Sequence, residues 1–439
     1  MTNRQIAGFR ALLSPVGRRL LDEVSPGESA ADPLRAADRL RRHPALAETP
    51  RDAAADLVTA VLTQARLRAR AREKFGPLAD RLFFTPDGLE QATRAPLAAY
   101  RARRVAERVG RDSAPVADLC CGIGADLLAL AGEGLSVEGV DLDPFTVAVA
   151  EANIAAAGLA DRARVRVGDA TEVRAGQYAA VFCDPARRGR HGRVFDPRAY
   201  SPAWDTVVHL ARTAPAGCVK AAPGLPHESL PAGAAVEWIS VDWEVKETAL
   251  WFGALAEGVP ARRATLLRTR PGSAEPEVTT LAGRGLGAPP VSRPLRYLYE
   301  PDGAVVRSHL VAEAAQAVDG ALLDPDIAYL TSDSLVRTPL CRVYEVHEVM
   351  PFSLKRLRAA LRERGVGTVT IKKRGSAVDV ERLRRDLRLN GPESAVVVLT
   401  RFGSRPYCLL CAEVGPDTGG QERTASGPSS RAGAPNLRT

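Results

Sequence analysis

The stretch Pro115–Asp126, P-V-A-D-L-C-C-G-I-G-A-D, decides how this chain reads. Val116 to Leu119 is a short apolar run with the character of a buried strand end. Gly122 and Gly124 follow at once, where the backbone must turn sharply and let something approach closely. Leu127 to Ala131, L-L-A-L-A, then opens an apolar helix. A strand, a glycine turn and a helix N-terminus begin a nucleotide-binding βα unit.

Two ligand chemistries use such a beginning. A dinucleotide site wants G-x-G-x-x-G, and the third glycine position here is Leu127. Asp118 sits inside the strand end and Asp126 follows the glycines. Carboxylates at the turn repel a pyrophosphate and suit a cation. The segment resembles motif I of the class I S-adenosylmethionine (SAM)-dependent methyltransferases, and SAM carries an ammonium and a sulfonium. At the level of that fold the resemblance runs from about Pro115 to Arg270. It implies an α/β fold, a Rossmann-like seven-stranded core whose final pair is antiparallel.

The residues by themselves support the first five strands. The first ends at Leu119. S-V-E-G-V ends at Asp141-Leu142-Asp143-Pro144, and its helix F-T-V-A-V-A-E-A-N-I-A-A-A is stopped by Gly158. A-R-V-R-V ends at Gly168-Asp169-Ala170, and Y-A-A-V-F-C ends at Asp184-Pro185. A fifth lies near Gly217 to Ala222. A-V-E-W-I-S-V, E-T-A-L-W-F-G and A-T-L-L-R-T are further candidates.

In an open parallel sheet, ligands bind beyond the carboxyl ends of the strands. Asp118, Asp141, Asp169 and Asp184 fall at four successive strand ends. One such Asp is ordinarily a turn or a helix cap; four in succession point to a ligand. The resemblance assigns their roles. Asp141, 19 residues past Gly122, accepts from the ribose hydroxyls. Asp169 accepts from the adenine amino group, and the Ala170 N–H donates to the ring. Gly122 and Gly124 let the backbone approach the methionyl part, and Asp118 balances the ammonium. Cys120 and Leu142 belong to the same cofactor set. NAD is the competing cofactor, because Asp141 would serve there too.

Methyl transfer is an in-line displacement at an activated carbon, so the protein mainly supplies orientation and field. For an amine acceptor, a carboxylate or carbonyl must hold the N–H so that the lone pair faces the methyl. Asp184 and Pro185 are the catalytic candidates. The family's nitrogen methyltransferases carry N/D/S-P-P-Y/W/F/R here, whereas this chain has D-P-A-R-R. The second proline and the aromatic platform are missing, which leaves the target atom open. D-P-A-R also resembles the D-P-P-R of tRNA guanine methyltransferases and uracil C5 methyltransferases. The uracil enzymes need a nucleophilic Cys beside a Pro at the end of strand five. C-V-K-A-A-P puts Cys218 at the strand start instead, which disfavours C5 chemistry. D-L-C-C-G-I-G further resembles the glycine motif of trimethylguanosine synthases, whose S-P-P-W is absent. Cys183 points away from Asp184 by strand alternation and reads as core.

Arg187, Arg188, Arg190 and Arg193 follow the motif in R-R-G-R-H-G-R, a glycine-punctuated basic loop suited to phosphates. Lys372, Lys373 and Arg374 form a second basic turn. A solvated loop is the competing reading of both. His191 reads as a loop residue.

A length of 439 residues predicts two or three domains. The formal charge of +8 and pI near 9.3 permit a polyanionic partner such as RNA without requiring one. Lysine occurs only at positions 74, 220, 246, 355, 372 and 373, so nearly all the positive charge is arginine, the better phosphate fork. Seven scattered cysteines, an odd number, predict reduced thiols in a cytoplasmic protein. Cys408-Leu-Leu-Cys411 has no second pair and no His cluster, so no metal is expected. With no apolar h-region and no apolar run near 18 residues, neither a signal peptide nor a membrane span is expected.

Five segments follow. Residues 1–100 read as an N-terminal helical domain, 101–270 as the SAM-binding core and 271–295 as a Gly- and Pro-rich linker. Residues 296–414 read as a second α/β domain and 415–439 as a disordered tail. The second α/β domain resembles the THUMP-like domain attached to a group of predicted methyltransferases, which implies RNA binding. The expectation is a cytoplasmic SAM-dependent methyltransferase acting on a nitrogen of an RNA base. The alternatives are a methyltransferase of a protein or small-molecule amine, and a SAM- and RNA-binding module without turnover. The sequence does not give the oligomeric state.

Overall fold

The computed structural model describes residues 3–24, 32–186, 188–189, 192–193, 200–270, 272–273 and 275–415. It divides into two units. The first holds Met1–Glu237, Glu247–Ala261 and Arg270–Pro276; the second holds Trp238–Lys246, Arg262–Thr269 and Glu277–Thr439.

The first unit begins with helices α1 (Asn3–Leu13), α2 (Pro15–Asp22), α3 (Pro33–Arg41), α4 (Arg51–Phe75), α5 (Pro86–Gln91) and α6 (Ala95–Val109). Prolines open α2, α3 and α5, where their missing N–H costs nothing, and Ser14, Asp32 and Thr85 cap them. The βα alternation follows as β1 (Val116–Leu119), α7 (Ala125–Gly132), β2 (Val137–Asp141), α8 (Pro144–Ala157), β3 (Ala163–Val167) and β4 (Ala180–Cys183). Asp143 caps α8 through the Thr146 N–H at 3.0 Å, and Gly158 ends it in the left-handed region. After β4 two short strands, Arg188–Gly189 and Gly192–Arg193, pair antiparallel. Then come α9 (Trp204–Thr213), β5 (Ala216–Ala221), β6 (Ala235–Val241) and β7 (Glu244–Gly253), with Trp238–Lys246 of the last two assigned to the second unit.

These strands form a sheet in the order 3-2-1-4-5-7-6. Strands β1 to β5 are parallel and β7 runs antiparallel to β5, as the resemblance implies. β1, β4 and β5 are buried along their whole length, which explains their unbroken apolar runs. One sheet face packs on α9 around Leu119, Val181, Cys183, Val219 and Trp204. By strand alternation Asp118, Phe182, Cys218 and Lys220 lie on the other face. There the guanidinium of Arg101 from α6 stands over the Phe182 ring, 5.2 Å from its centroid.

In the second unit, β8 (Arg262–Arg268) pairs antiparallel with β9 (Glu277–Ala282). The span 271–295 is therefore more than the expected linker. E-V-T-T-L-A inside it has three consecutive β-branched residues, Val278, Thr279 and Thr280, and it pairs Thr280 with Thr265. The glycines and prolines that suggested a linker fall on either side.

A second sheet follows: β10 (Tyr297–Pro301), β11 (Ala321–Asp324), β12 (Ile327–Ser332), β13 (Cys341–Pro351), β14 (Val366–Lys373), β15 (Glu393–Phe402) and β16 (Arg405–Glu413), in the order 11-12-10-13-16-15-14. Helices α10 (Gly303–Arg307) and α11 (Val311–Ala317) precede β11. α12 (Leu354–Glu363) and α13 (Val380–Leu387) cover one face with Leu357, Leu361, Leu383 and Leu387. The expected tail lies outside the described residues from 416 onward.

Candidate active site

β1 ends at Leu119, and Cys120 turns the chain at φ 61°. Its N–H donates to the Val140 carbonyl at 2.9 Å, which stitches the turn to β2. Gly122 and Gly124 follow at φ 56° and 87°, conformations that glycine adopts without strain. A Cβ on Gly122 would meet no atom within 4 Å, so the space in front of this backbone is open. Leu127, which breaks the dinucleotide fingerprint, is accommodated by Gly139 of β2. A Cβ there would come within 2.5 Å of the Leu127 Cδ1.

Asp141 faces this turn. Its Oδ2 accepts the Gly122 N–H at 2.9 Å and its Oδ1 accepts the Asp143 N–H at 3.0 Å. Beside it Leu142 is 63% exposed, and Val167, the cross-strand neighbour of Asp141, is 50% exposed. Two apolar side chains at an acidic rim can carry a flat heterocycle. Asp169 stands at the end of β3 and caps a short 3₁₀ turn, Ala170–Glu172. Its Oδ1 accepts both the Thr171 N–H and the Thr171 hydroxyl at 2.8 Å. The Thr171 N–H and then its hydroxyl hold this carboxyl below its ordinary value. Ala170 is buried.

Asp118 is 1% exposed, and neither of its oxygens has a hydrogen-bond partner among the described residues. Burial first, then the Asp126 and Asp184 carboxylates, push its carboxyl well above the usual range. A buried carboxylate without partners is costly. It fits a ligand that brings its own positive charge, and with the open space at Gly122 it fits the methionyl ammonium of SAM.

Asp184 follows β4, and its N–H donates to the Leu119 carbonyl at 3.2 Å. Its Oδ2 accepts from the Lys220 ammonium of β5. Lys220 is 4% exposed and also donates to Thr93 Oγ1 at 2.8 Å. The Thr93 hydroxyl in turn donates to Asp126 Oδ2 at 2.7 Å. Arg101 completes the network through ion pairs to Asp126 and Glu247. Burial alone would raise the Asp126 carboxyl; the Arg101 and Lys220 charges and the Thr93 hydroxyl outweigh it and lower it.

Sequence reasoning missed Lys220, Thr93 and Arg101. The one legible signal was a lone lysine inside the apolar strand C-V-K-A-A. The uracil-type mechanism calls for a reactive cysteine beside Pro223. Cys218 is fully buried, and desolvation pushes its thiol up to about 12. Ala221 and Ala222 stand next to Pro223, so no thiolate is presented there.

The sheet thus brings Asp118, Cys120, Gly122, Gly124, Asp141, Leu142, Asp169, Ala170, Asp184 and Pro185 to the ends of four adjacent strands. Arg187 and Arg190 lie outside the described residues, and Arg188 is described only by its backbone. Lys372, Lys373 and Arg374 belong to the second unit and are engaged within it. Lys372 pairs with Glu300 at 2.9 Å, and Lys373 donates to the Val378 carbonyl at 3.1 Å. Arg374 donates to the Ala328 and Pro301 carbonyls at 3.0 and 3.2 Å. Among the described residues no group of His, Cys, Asp and Glu could hold a metal, and no helix is long and apolar enough to cross a membrane.

Known proteins match this arrangement. A methyltransferase domain model matches residues 116–188, a THUMP domain-like model 341–413, and a domain of unknown function 5–71. An uncharacterised S-adenosylmethionine-dependent methyltransferase of Mycobacterium tuberculosis is 37% identical over 357 residues, 79% of this chain and 94% of its own length. A 23S rRNA (uracil(1939)-C(5))-methyltransferase of Acidithiobacillus ferrooxidans is 36% identical over 115 residues, covering 25% of this chain and 26% of its own. A crystal structure of a candidate methyltransferase from Porphyromonas gingivalis shares the fold with TM-score 0.70 and 20% identity, over 94% of this chain and 98% of that one. With the carboxylate rim, the glycine turn and a relative of this extent, the chain belongs to the S-adenosylmethionine-dependent methyltransferases.

Proposed function

We propose that this enzyme methylates a nitrogen of an RNA base. Bound SAM supplies a methyl group already activated by a sulfonium. Asp141 receives the ribose hydroxyls, Leu142 and Ala170 flank the adenine with Asp169 at its edge, and Asp118 faces the ammonium. Cys120, Gly122 and Gly124 let the backbone come close to the methionyl part. Asp184 and the Pro185 backbone hold the acceptor N–H so that the lone pair points along the S–C axis. Attack by that lone pair on the methyl group would release the sulfur with the bonding electrons and leave one proton on nitrogen to be removed. The proton released from nitrogen passes to Asp184 Oδ1.

The observation that carries the choice of nitrogen is the pairing of a fixed Asp184 carboxylate with alanines at the end of β5. An acceptor for an N–H is present where a C5 nucleophile is not. Support for RNA comes from the THUMP domain-like match and from two relatives named as RNA methyltransferases over a quarter of this chain or less. The excess of arginine agrees with it. The test compares modified nucleosides by mass spectrometry in total RNA from cells with and without the protein. One methylated nucleoside should disappear and return with the wild type but not with Asp184→Ala. An unchanged nucleoside profile overturns the RNA reading.

A further inference from the structure

We propose that Lys220 is a positioning residue for methyl transfer: anchored by Thr93, it holds one carboxylate oxygen of Asp184 so that the other faces the acceptor nitrogen. The inference rests on Asp184 being the group that receives the substrate N–H.

The register places the two residues side by side. β4 and β5 pair in parallel with Cys183 opposite Val219, so the next positions, Asp184 and Lys220, are level. Both side chains fall on the face that carries Asp118. Asp184 lies beyond the last strand residue, with its side chain 23% exposed, and nothing in its own backbone fixes its rotamer. Lys220 supplies that constraint. Its ammonium has three donors; one goes to Asp184 Oδ2 and one to Thr93 Oγ1. Thr93 is itself fixed by its bond to Asp126 and by Arg101, whose Nη2 donates to it at 3.3 Å.

The chemistry of burial points the same way. A lysine near the carboxyl end of a fully buried strand is expensive, and an apolar pair in its place is often neutral or stabilising. Its charge also lowers the Asp126 carboxyl, but Arg101 and Thr93 bind the two Asp126 oxygens, while the Lys220 ammonium donates to Asp184. What Lys220 adds is a defined direction for the Asp184 carboxylate. Thr93 lies just before α6, so the N-terminal helical region reaches the catalytic end of the sheet through this contact.

The test uses the full-length protein with methyl-tritiated SAM. The acceptor is whole-cell extract from a strain lacking the protein, afterwards divided into nuclease-sensitive, protease-sensitive and small-molecule fractions. Lys220→Met should lower kcat by about 100-fold, as a displaced catalytic group does, while the SAM Kd by calorimetry stays within about twofold. Lys220→Arg keeps a donor to Asp184 and should recover turnover above Lys220→Met. In the Asp184→Asn background, where an acceptor oxygen remains but the ion pair is gone, Lys220→Met should add little further loss. If Lys220→Met alone does not fold, the Lys220→Met/Asp184→Asn pair, compared with Asp184→Asn, and the kcat of Lys220→Arg decide the matter. Wild-type kcat in a folded Lys220→Met overturns the proposal. So does an undiminished loss in the Asp184→Asn background, or a loss confined to SAM affinity. Label that resists nuclease while the Lys220 pattern holds sinks only the RNA reading; no label in any fraction from the wild type sinks both.

Discussion

Asn153 of α8 binds the backbone of Phe83 twice: its Oδ1 accepts the Phe83 N–H at 2.7 Å and its Nδ2 donates to the Phe83 carbonyl at 3.0 Å. The same Nδ2 reaches the Ile123 carbonyl in the glycine turn at 2.9 Å. Gln64 treats Phe84 alike, accepting at 3.0 Å and donating at 2.6 Å. Two buried amides thus replace the neighbouring strand that residues 83 and 84 lack. Gly88 closes the contact, since a Cβ there would sit 2.4 Å from Ile123 Cγ2. The N-terminal region is therefore the backing of the glycine turn proposed to face SAM.

Asn153→Leu should consequently affect both stability and binding. It leaves buried backbone groups of Phe83 and Ile123 without partners, at a cost of about 2 kcal/mol or more. Urea melts give the stability, and SAM calorimetry should show weaker binding as Ile123 loosens. Unchanged stability contradicts the backing role.

Asp118 gives the pH prediction. Burial and the neighbouring carboxylates raise its folded-state value above the ordinary 3.8. The unfolded chain then ionises first. Its contribution to stability is whole below the ordinary value and is lost as the pH rises through the raised one. Asp118→Asn should therefore flatten that stretch of the stability curve and stabilise the ligand-free protein at neutral pH by about 1–3 kcal/mol. It should also weaken SAM, because the ammonium loses its carboxylate. Thermal melts across pH, with and without SAM, check both signs; a destabilised variant counts against the assignment.

Arg101 is 2% exposed between Asp126 and Glu247. Arg101→Met leaves Glu247 buried without this ion pair and leaves Asp126 to the Lys220 charge and the Thr93 hydroxyl, which should cost about 3–5 kcal/mol. Guanidinium titration of the variant measures it, and a loss below about 1 kcal/mol shows the pair to be replaceable.

Gly122→Ala separates folding from cofactor binding. Its φ of 56° makes the alanine cost about 1–2 kcal/mol, with no clash, since nothing lies within 4 Å of the new methyl. The methyl does project into the space proposed for SAM, so the Kd should rise by about tenfold or more, worth about 1.4 kcal/mol. Equal affinity in calorimetry means the cofactor lies elsewhere.

Much of this was legible in the residues. The βα order, the strand ends and the positions of Asp118, Asp141, Asp169 and Asp184 follow from apolar runs closed by turn residues. Strand β9 was hidden because its E-V-T-T-L-A run sits among glycines and prolines. The Lys220–Thr93–Arg101 network was hidden for another reason. Its members lie on a strand, a loop and a helix, at positions 220, 93 and 101, and only the packed sheet brings them together. At Lys372 and Arg374 the sequence did not show the partners within the second unit. A basic turn looks alike in sequence whether it meets solvent or, as here, Glu300 and backbone carbonyls.

The most direct measurement is a calorimetric titration of the full-length protein with SAM, repeated with Asp141→Ala. The carboxylate rim predicts one SAM per chain and an affinity loss of about 1–3 kcal/mol in the variant, whose ribose partners are removed. Failure of the wild type to bind SAM, or equal binding by the variant, contradicts it.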